Sequence, residues 1–180
     1  VKNDIFAVFS GIGSKTHQAV YPLLKQQRLP SFFVGSDLPE WTQPIRANVF
    51  GFMPTAETEA RVIGKYITEK HTGKEFIIWY PEKPVYQRAV KALTKELYSV
   101  SAKLLPGKAG RLSAEWQLIR RNNPDFLVVL GNYTDVMNFL KFSPQINIPM
   151  LTGHALADSR LPEWLGQKVS GRVRGLTAYP

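Results

Sequence analysis

The sequence predicts an α/β fold built on a doubly wound parallel sheet. Apolar runs bounded by turn residues alternate with stretches of helical periodicity, and this alternation favours parallel strands joined by right-handed helical crossovers. The segment 49–78 shows it best, since a strand, a capped amphipathic helix and a second apolar strand follow one another. A chain of 180 residues, 44% of them apolar, is long enough to bury a core.

Each element is predicted from its own pattern. The strands are expected at about 5–10, 31–35, 48–53, 75–80, 101–105, 125–130, 148–152 and 172–178. The helices are expected at about 16–28, 55–71, 85–99, 112–122 and 133–142. In the second helix Thr55 is the expected N-cap, and Glu57 and Glu59 place negative charge on the first turn.

The segment 39–54 interrupts the alternation with three prolines and irregular polarity. We interpret it as a passage between two lobes.

Composition limits the classes of function. The 23 basic and 14 acidic residues give a net charge of +9, but they are spread along the chain with no basic run longer than Arg120-Arg121. This distribution predicts a solvated basic surface and no nucleic-acid partner, and it leaves open an anionic ligand or a partner protein.

The absence of cysteine excludes disulfides and thiolate metal sites, and is compatible with an oxidising compartment. No apolar run is long enough to cross a bilayer, and we find no leader in this sequence.

The motifs of common enzymes are missing. The turn GIGSKT at 11–16 resembles a phosphate loop, but Ser14 and Phe9 stand where that pattern needs glycines. The three histidines, His17, His71 and His154, have no metal-pair spacing, so no catalytic residue, cofactor or metal is predicted. A flavodoxin-like enzyme remains a minor alternative. Four aromatic residues follow strand ends and are expected to line a ligand crevice: Trp41, Tyr80, Tyr86 and Tyr133.

The segment DIFAVFSGIGSKTHQAVYPLLKQQRLPSFFVG has a strand ending in a glycine and hydroxyl turn, a helix, and a proline step into the next strand. It resembles the first lobe of branched-chain amino-acid-binding receptors, the type I periplasmic-binding-protein fold. The resemblance implies that Ser14 and Thr16 make the first contact with a ligand carboxylate, and that Gly35 and Ser36 make the second.

Three later segments resemble the second lobe. The resemblance implies that Tyr86 lies at the cleft in the segment FIIWYPEKPVYQRAVKAL. It implies that Asn132 and Tyr133 face the ligand in the segment DFLVVLGNYTDVMNFLK. In IPMLTGHALADSRLPEWLGQKVSGRVRGLTAYP, His154 stands where amino-acid receptors carry an acid that pairs with the ligand ammonium. This departure favours an anion or an aromatic acid over a free amino acid.

Family members are longer than this chain, so it looks like a fragment: a partial first lobe over 1–48, a second lobe over 49–175 and a return toward the hinge over 176–180. The resemblance implies extracytoplasmic binding of an amino acid or related carboxylate, with lobes that close on the ligand and deliver it to an ABC transporter permease. The expected location is periplasmic, or extracellular with a lipid anchor, with only peripheral contact to the membrane complex. A sensory or regulatory ligand-binding domain of the same fold is the alternative.

Overall fold

A computed structural model describes residues 4–36, 38–108, 110–142, 147–156, 163–164, 166 and 172–176. The chain divides into two compact units, unit 1 (Val1–Ala56) and unit 2 (Glu57–Pro180). Among the described residues, no helix combines the length and the apolar character that crossing a membrane requires.

Unit 1 is a small parallel sheet with one long helix. Its elements are β1 (Val8–Phe9), α1 (Ser14–Gln26), β2 (Ser31–Val34), the short 3-10 helix η1 (Pro39–Trp41) and β3 (Val49–Gly51). The strands lie in the order β1-β2-β3, and both pairs are parallel. Parallel pairing of β1 and β2 follows from the α1 crossover between them.

Trp41 fills the core of unit 1. Its side chain is 3% exposed and packs with Val34 and Val49. The His17 ring is nearly perpendicular to the Trp41 ring, with centroids 4.5 Å apart, and the Arg46 guanidinium lies 5.2 Å from the Trp41 centroid. The structure therefore corrects two expectations: Trp41 does not line an open crevice, and the segment 39–54 is not merely a passage, since it supplies this core.

An aromatic ladder covers the other face of the unit 1 sheet. Phe9 stacks on Phe32 with centroids 5.3 Å apart, and Phe32 stacks on Phe50 at 4.8 Å. These residues are cross-strand partners in register, so their rings share one face. Phe9 and Phe50 are both exposed, which gives this face an open aromatic surface.

Unit 2 is a larger parallel sheet flanked by helices. Its elements are α2 (Ala56–Lys70, beginning at the unit boundary), β4 (Glu75–Pro81), α3 (Pro84–Thr94), β5 (Ser101–Gly107), α4 (Leu112–Asn122), β6 (Phe126–Val129), α5 (Tyr133–Lys141), β7 (Met150–Thr152), the 3-10 helix η2 (His154–Leu156) and β8 (Val173–Gly175). The strand order is β5-β4-β6-β7-β8, and every pair is parallel. The parallel pairing of β4 with β6 confirms the predicted topology.

Both faces of this sheet are buried. One face joins Trp79 and Val129 to Trp116 of α4 and Phe139 of α5 in a single core cluster. The alternate strand residues point to the other face, where Phe76 and Phe126 stack at 5.2 Å. Burial on both faces is what a doubly wound sheet requires, and it explains why the strands read as continuous apolar runs.

Two boundaries differ from the predictions. Helix α3 ends at Thr94, five residues before the predicted end. In the segment that follows, the Thr68 hydroxyl donates to the Glu96 carbonyl at 2.7 Å and accepts the Tyr98 N–H at 3.2 Å. Strand β3 pairs with β2, so unit 1 extends to Ala56, beyond the predicted limit at residue 48. Of the predicted return over 176–180, all but Leu176 lies outside the described residues.

Candidate functional site

The segments that follow β1 and β2 lie side by side in unit 1. Gly35 forms an isolated parallel bridge with Ile12. The Gly35 N–H donates to the Gly11 carbonyl at 2.9 Å, and the Gly13 N–H donates to the Gly35 carbonyl at 3.1 Å. These bonds bring the start of α1 next to the end of β2, as expected at the carboxyl edge of a parallel sheet.

Two predicted site residues meet at this edge. The hydroxyls of Ser14 and Ser36 are 2.7 Å apart, within hydrogen-bond distance. The Ser36 hydroxyl also accepts the Leu38 N–H at 3.2 Å. Ser36 is buried and Ser14 is half-buried, so the pair joins the first turn of α1 to the loop after β2.

The amino terminus of α1 has no side-chain cap. Gly13 occupies the N-cap position at φ 100°, and the first turn holds no acidic residue. Thr16 is exposed on this turn, and its hydroxyl would lie 3.3 Å from a Cβ placed on Gly13. A helix amino terminus beside two serine hydroxyls suits a carboxylate or another polar oxygen.

The backbone leading to this edge is strained in two places. Ser10 and Phe33 adopt the left-handed region, at φ 55° and φ 57°. At Phe33 the pairing of β2 with β3 shifts register, two residues before Gly35. Left-handed non-glycine residues cost free energy and are concentrated at functional sites.

In unit 2 the predicted residues follow three neighbouring strands, β4, β6 and β7. Tyr86 lies in the first turn of α3, and its side chain is 5% exposed. It heads the buried stripe that continues through Ala89, Val90 and Leu93. The structure thus places Tyr86 in the packing of α3, and its contact with a ligand stays a prediction.

Asn132 and Tyr133 begin α5. Asn132 is the N-cap, and its side-chain oxygen accepts the Asp135 N–H at 2.9 Å. Tyr133 is 44% exposed and meets the Trp164 ring edge to face at 5.5 Å. Asn132 therefore has a structural role in helix capping, while Tyr133 presents an exposed aromatic ring after β6.

His154 follows β7 and contacts Glu59, a residue of α2. One carboxylate oxygen of Glu59 accepts the His154 backbone N–H at 3.3 Å, and the same oxygen makes a short contact with the ring nitrogen Nδ1. Glu59 is buried and His154 is half-buried. A Cβ on Gly153 would lie 2.5 Å from the other Glu59 oxygen, so a larger residue here would require the carboxylate to shift.

A groove of about 620 Å³ lies at the carboxyl ends of β4 and β5. Its lining includes Trp79, Glu82 and the ion pair of Lys83 with Asp135, whose charged atoms are 2.7 Å apart. None of the residues predicted for ligand binding lines it. Within the described ranges, no cluster of three histidine or acidic side chains could hold a metal ion.

Comparison with known proteins identifies the family. A family profile described as periplasmic binding protein matches residues 1–179. None of the curated proteins matches the chain.

Among solved structures, an extracellular ligand-binding receptor from Verminephrobacter eiseniae superposes with a TM-score of 0.77 at 11% identity, over 97% of this chain and 52% of its own. A solute-binding protein of an ABC transporter from Rhodopseudomonas palustris, in complex with 3,4-dihydroxybenzoic acid, has a TM-score of 0.71 at 15% identity. The match covers 93% of this chain and 48% of that protein. A branched-chain amino acid ABC transporter protein from Thermus thermophilus with bound valine has a TM-score of 0.68 at 17% identity. The match covers 89% of this chain and 44% of that protein. The likeness shows a shared fold, and the chain spans about half the length of each.

Proposed function

The chain belongs to the periplasmic binding protein family, and we propose on that basis that it binds a small organic solute outside the cytoplasm for delivery to an ABC importer. The proposal is for binding and transport, without catalysis, and the permease of the importer is the proposed partner. An amino acid or a related carboxylate is the proposed class of solute.

The observation that carries the proposal is the Ser14–Ser36 pair beside the uncapped start of α1. Its hydroxyls, 2.7 Å apart, lie at the carboxyl edge of a parallel sheet, where ligands of open α/β folds bind. The N–H groups of the first helical turn add the positive end of the helix dipole. Together they support recognition of a carboxylate by unit 1.

The structural neighbours support the solute class in general terms. The Thermus thermophilus protein holds valine, and the Rhodopseudomonas palustris protein holds 3,4-dihydroxybenzoic acid. Both molecules carry a carboxylate, and only valine carries an ammonium group. We propose a carboxylate as the shared feature for this chain as well.

A thermal-shift screen of the full gene product that carries this sequence tests the proposal. The ligands are leucine, valine, 3,4-dihydroxybenzoate, dicarboxylates and, as a control without a carboxylate, the matching primary amides. A solute present at 100 times its dissociation constant should stabilise the protein by about 2.7 kcal/mol. Stabilisation by carboxylates and not by amides supports the proposal, whereas no response to any carboxylate, confirmed by calorimetry, contradicts it.

A further inference from the structure

We propose that His17, through its ring contact with Trp41, is a positioning residue that holds the Ser14–Ser36 pair at the spacing that binds a carboxylate. The inference rests on the proposed function and adds the side chains that hold its site together. It concerns unit 1 alone.

His17 belongs to the same helical turn as Ser14. Both lie in the first turn of α1, and the His17 N–H donates to the Gly13 carbonyl at 2.9 Å. Side chains three residues apart are neighbours on a helix surface, so the His17 ring lies next along α1 from the Ser14 hydroxyl. The ring is 5% exposed, and its Nδ1 would lie 3.2 Å from a Cβ on Gly11. It therefore packs against the turn that leads into α1.

Trp41 ends the short segment that begins at Ser36. The Ser36 hydroxyl accepts the Leu38 N–H at 3.2 Å, and η1 starts at the next residue. The Trp41 side chain is 3% exposed and belongs to the core of unit 1. Because the core fixes the Trp41 ring and the chain between the two residues is short, the position of this ring limits where Ser36 can lie.

The contact between the two rings joins these segments a second time. The His17 and Trp41 ring centroids are 4.5 Å apart, while the Ser14 and Ser36 hydroxyls are 2.7 Å apart. Each hydroxyl has one hydrogen, so a carboxylate that accepts from both serines must replace the bond between them. The ring contact is then the link that remains, and it keeps the two serines at the spacing that the carboxylate needs.

The ring contact requires a neutral imidazole. Within the described part of unit 1, no group forms a hydrogen bond with the buried Nε2 of His17. The elements around the ring carry Lys15 and Lys25 on α1, Glu40 on η1 and Arg46 before β3. Burial, followed by the positive charge of Arg46, lowers the pKa of His17 from 6.5. Protonation would place a second cation in this enclosed cluster, where charge is costly, and would weaken the contact with Trp41.

This requirement fixes the sign of a pH effect on binding. A solute that binds the form with the rings in contact selects the neutral imidazole. Its affinity is then full above the ordinary value of 6.5 and falls as the pH drops toward the lowered pKa of His17. A histidine that touched the solute carboxylate would give the opposite sign, because a carboxylate favours the cationic ring. The direction of the pH effect therefore separates positioning from direct contact.

Calorimetry on the full gene product measures this effect, with leucine, valine, 3,4-dihydroxybenzoate and fumarate as the titrated solutes. Their carboxylates stay ionised between about pH 5.5 and pH 8, so ionisation of the solute carboxylate does not contribute. We expect the affinity of every solute that binds to fall by about threefold or more from pH 8 to pH 5.5. Thermal unfolding at each pH shows that the protein is folded during the titration.

Two variants at His17 assign the effect. His17→Phe keeps a buried ring that cannot be protonated, so it should bind about as tightly as the parent at about pH 8 and lose the pH dependence. His17→Gln also cannot be protonated but has no ring. It should lose the pH dependence too, and bind at least about threefold more weakly than the parent, because the serines are no longer held in place.

Two control variants test other titrating groups. His71→Gln removes a half-buried histidine of unit 2 whose pKa is lowered in the same direction. Asp37→Asn removes an acid that follows Ser36 in the chain and lies outside the described residues. Both should keep the pH dependence of the parent, and its loss in either one would assign the titration to that residue and overturn the inference.

The remaining outcomes separate the two proposals. If solute affinity does not change with pH, or if His17→Phe keeps the pH dependence of the parent, this inference fails and solute binding stands. If affinity strengthens at acid pH in the parent and not in His17→Phe, the histidine contacts the solute and the positioning role fails. If none of the four carboxylates binds at any pH, both this inference and the proposed function fail.

Discussion

Trp79 donates its indole N–H to the carboxylate of Glu115 at 2.7 Å inside unit 2. The other oxygen of Glu115 accepts the backbone N–H of Lys108 at 2.8 Å. Glu115 is 6% exposed and lies in the first turn of α4, where the helix dipole stabilises negative charge. One carboxylate therefore joins β4, the loop after β5 and α4.

Replacing Glu115 with alanine should strongly destabilise unit 2. The change leaves two donors without an acceptor, and we expect a loss of roughly 2–4 kcal/mol in the free energy of unfolding. Urea unfolding followed by tryptophan fluorescence measures it. Glu69→Ala, an exposed change on α2, is the control and should stay within about 0.5 kcal/mol. Equal stabilities for the two variants would show that the Glu115 bonds contribute little.

Replacing Gly64 with alanine should also destabilise unit 2, although alanine has the higher helix propensity. Alanine is favoured over glycine inside a helix by about 1 kcal/mol. At Gly64, however, a Cβ would lie 2.7 Å from the Leu93 carbonyl oxygen and 2.9 Å from the Glu96 Cβ. We expect the overlap to cost more than propensity gains, with a net loss of about 1–3 kcal/mol in urea unfolding. Lys65→Ala, exposed on the same helix, should be neutral, and a Gly64→Ala variant as stable as the parent would argue against close packing of α2 and α3.

Acid pH should destabilise the protein through His17. Burial, together with the positive charge of Arg46, lowers the pKa of His17 from its ordinary value of 6.5. The unfolded state then binds more protons than the folded state, so stability is full above about pH 6.5 and is lost as the pH falls toward the lowered pKa. The pKa of His71 is lowered in the same direction, by burial and by the charges of Arg174 and Lys74.

Urea unfolding at pH values between 5 and 8 measures this dependence. His17→Gln removes the titrating group, so its stability should vary less with pH than that of the parent. The comparison uses the slope against pH, because the substitution itself can change packing around Trp41. A parent protein that is more stable at pH 5 than at pH 8 would contradict the prediction.

Tyr133 is an exposed aromatic residue that follows β6 in unit 2, and we propose that it contacts the solute. Tyr133→Ala should weaken binding of the preferred solute by roughly 1–3 kcal/mol, through lost stacking or a lost hydrogen bond. Tyr133→Phe separates the two, because it removes only the hydroxyl. Tyr98→Ala, another exposed tyrosine of unit 2, is the calorimetric control. Unchanged affinity in Tyr133→Ala would remove the residue from the site.

The sequence predicted the order and type of the elements well, because strands buried on both faces and helices with an apolar stripe leave strong local patterns. Helix α4 matches its predicted span of 112–122. The end of α3 was not predicted, and the residues after it bond to Thr68, a side chain of another helix that the local pattern does not show. Tyr86 was predicted at the cleft, and the structure adds that its side chain is buried at the head of the α3 stripe with Ala89 and Leu93.

The candidate site was predictable only in part. The hydroxyl turn and the loop after β2 were recognisable, and Ser14 and Ser36 do meet. Glu59 appeared only as a charge on the first turn of α2, because its partner His154 lies 95 residues away. A single sequence carries no signal for a contact of that range. The expectation that Trp41 lines a crevice was wrong for a related reason, since a loop position after a strand does not show which side chains will enclose it.

The strand order of unit 2 has a consequence for synthesis. Strand β4 is made first and lies inside the sheet, with β5 on one side and β6 on the other. Strands β7 and β8 then extend the β6 side in the order in which they leave the ribosome. Each new strand thus meets an open edge that already exists, and none must be inserted between two strands that have already paired. The sheet can therefore grow outward during translation, and its contacts form without waiting for the carboxyl terminus.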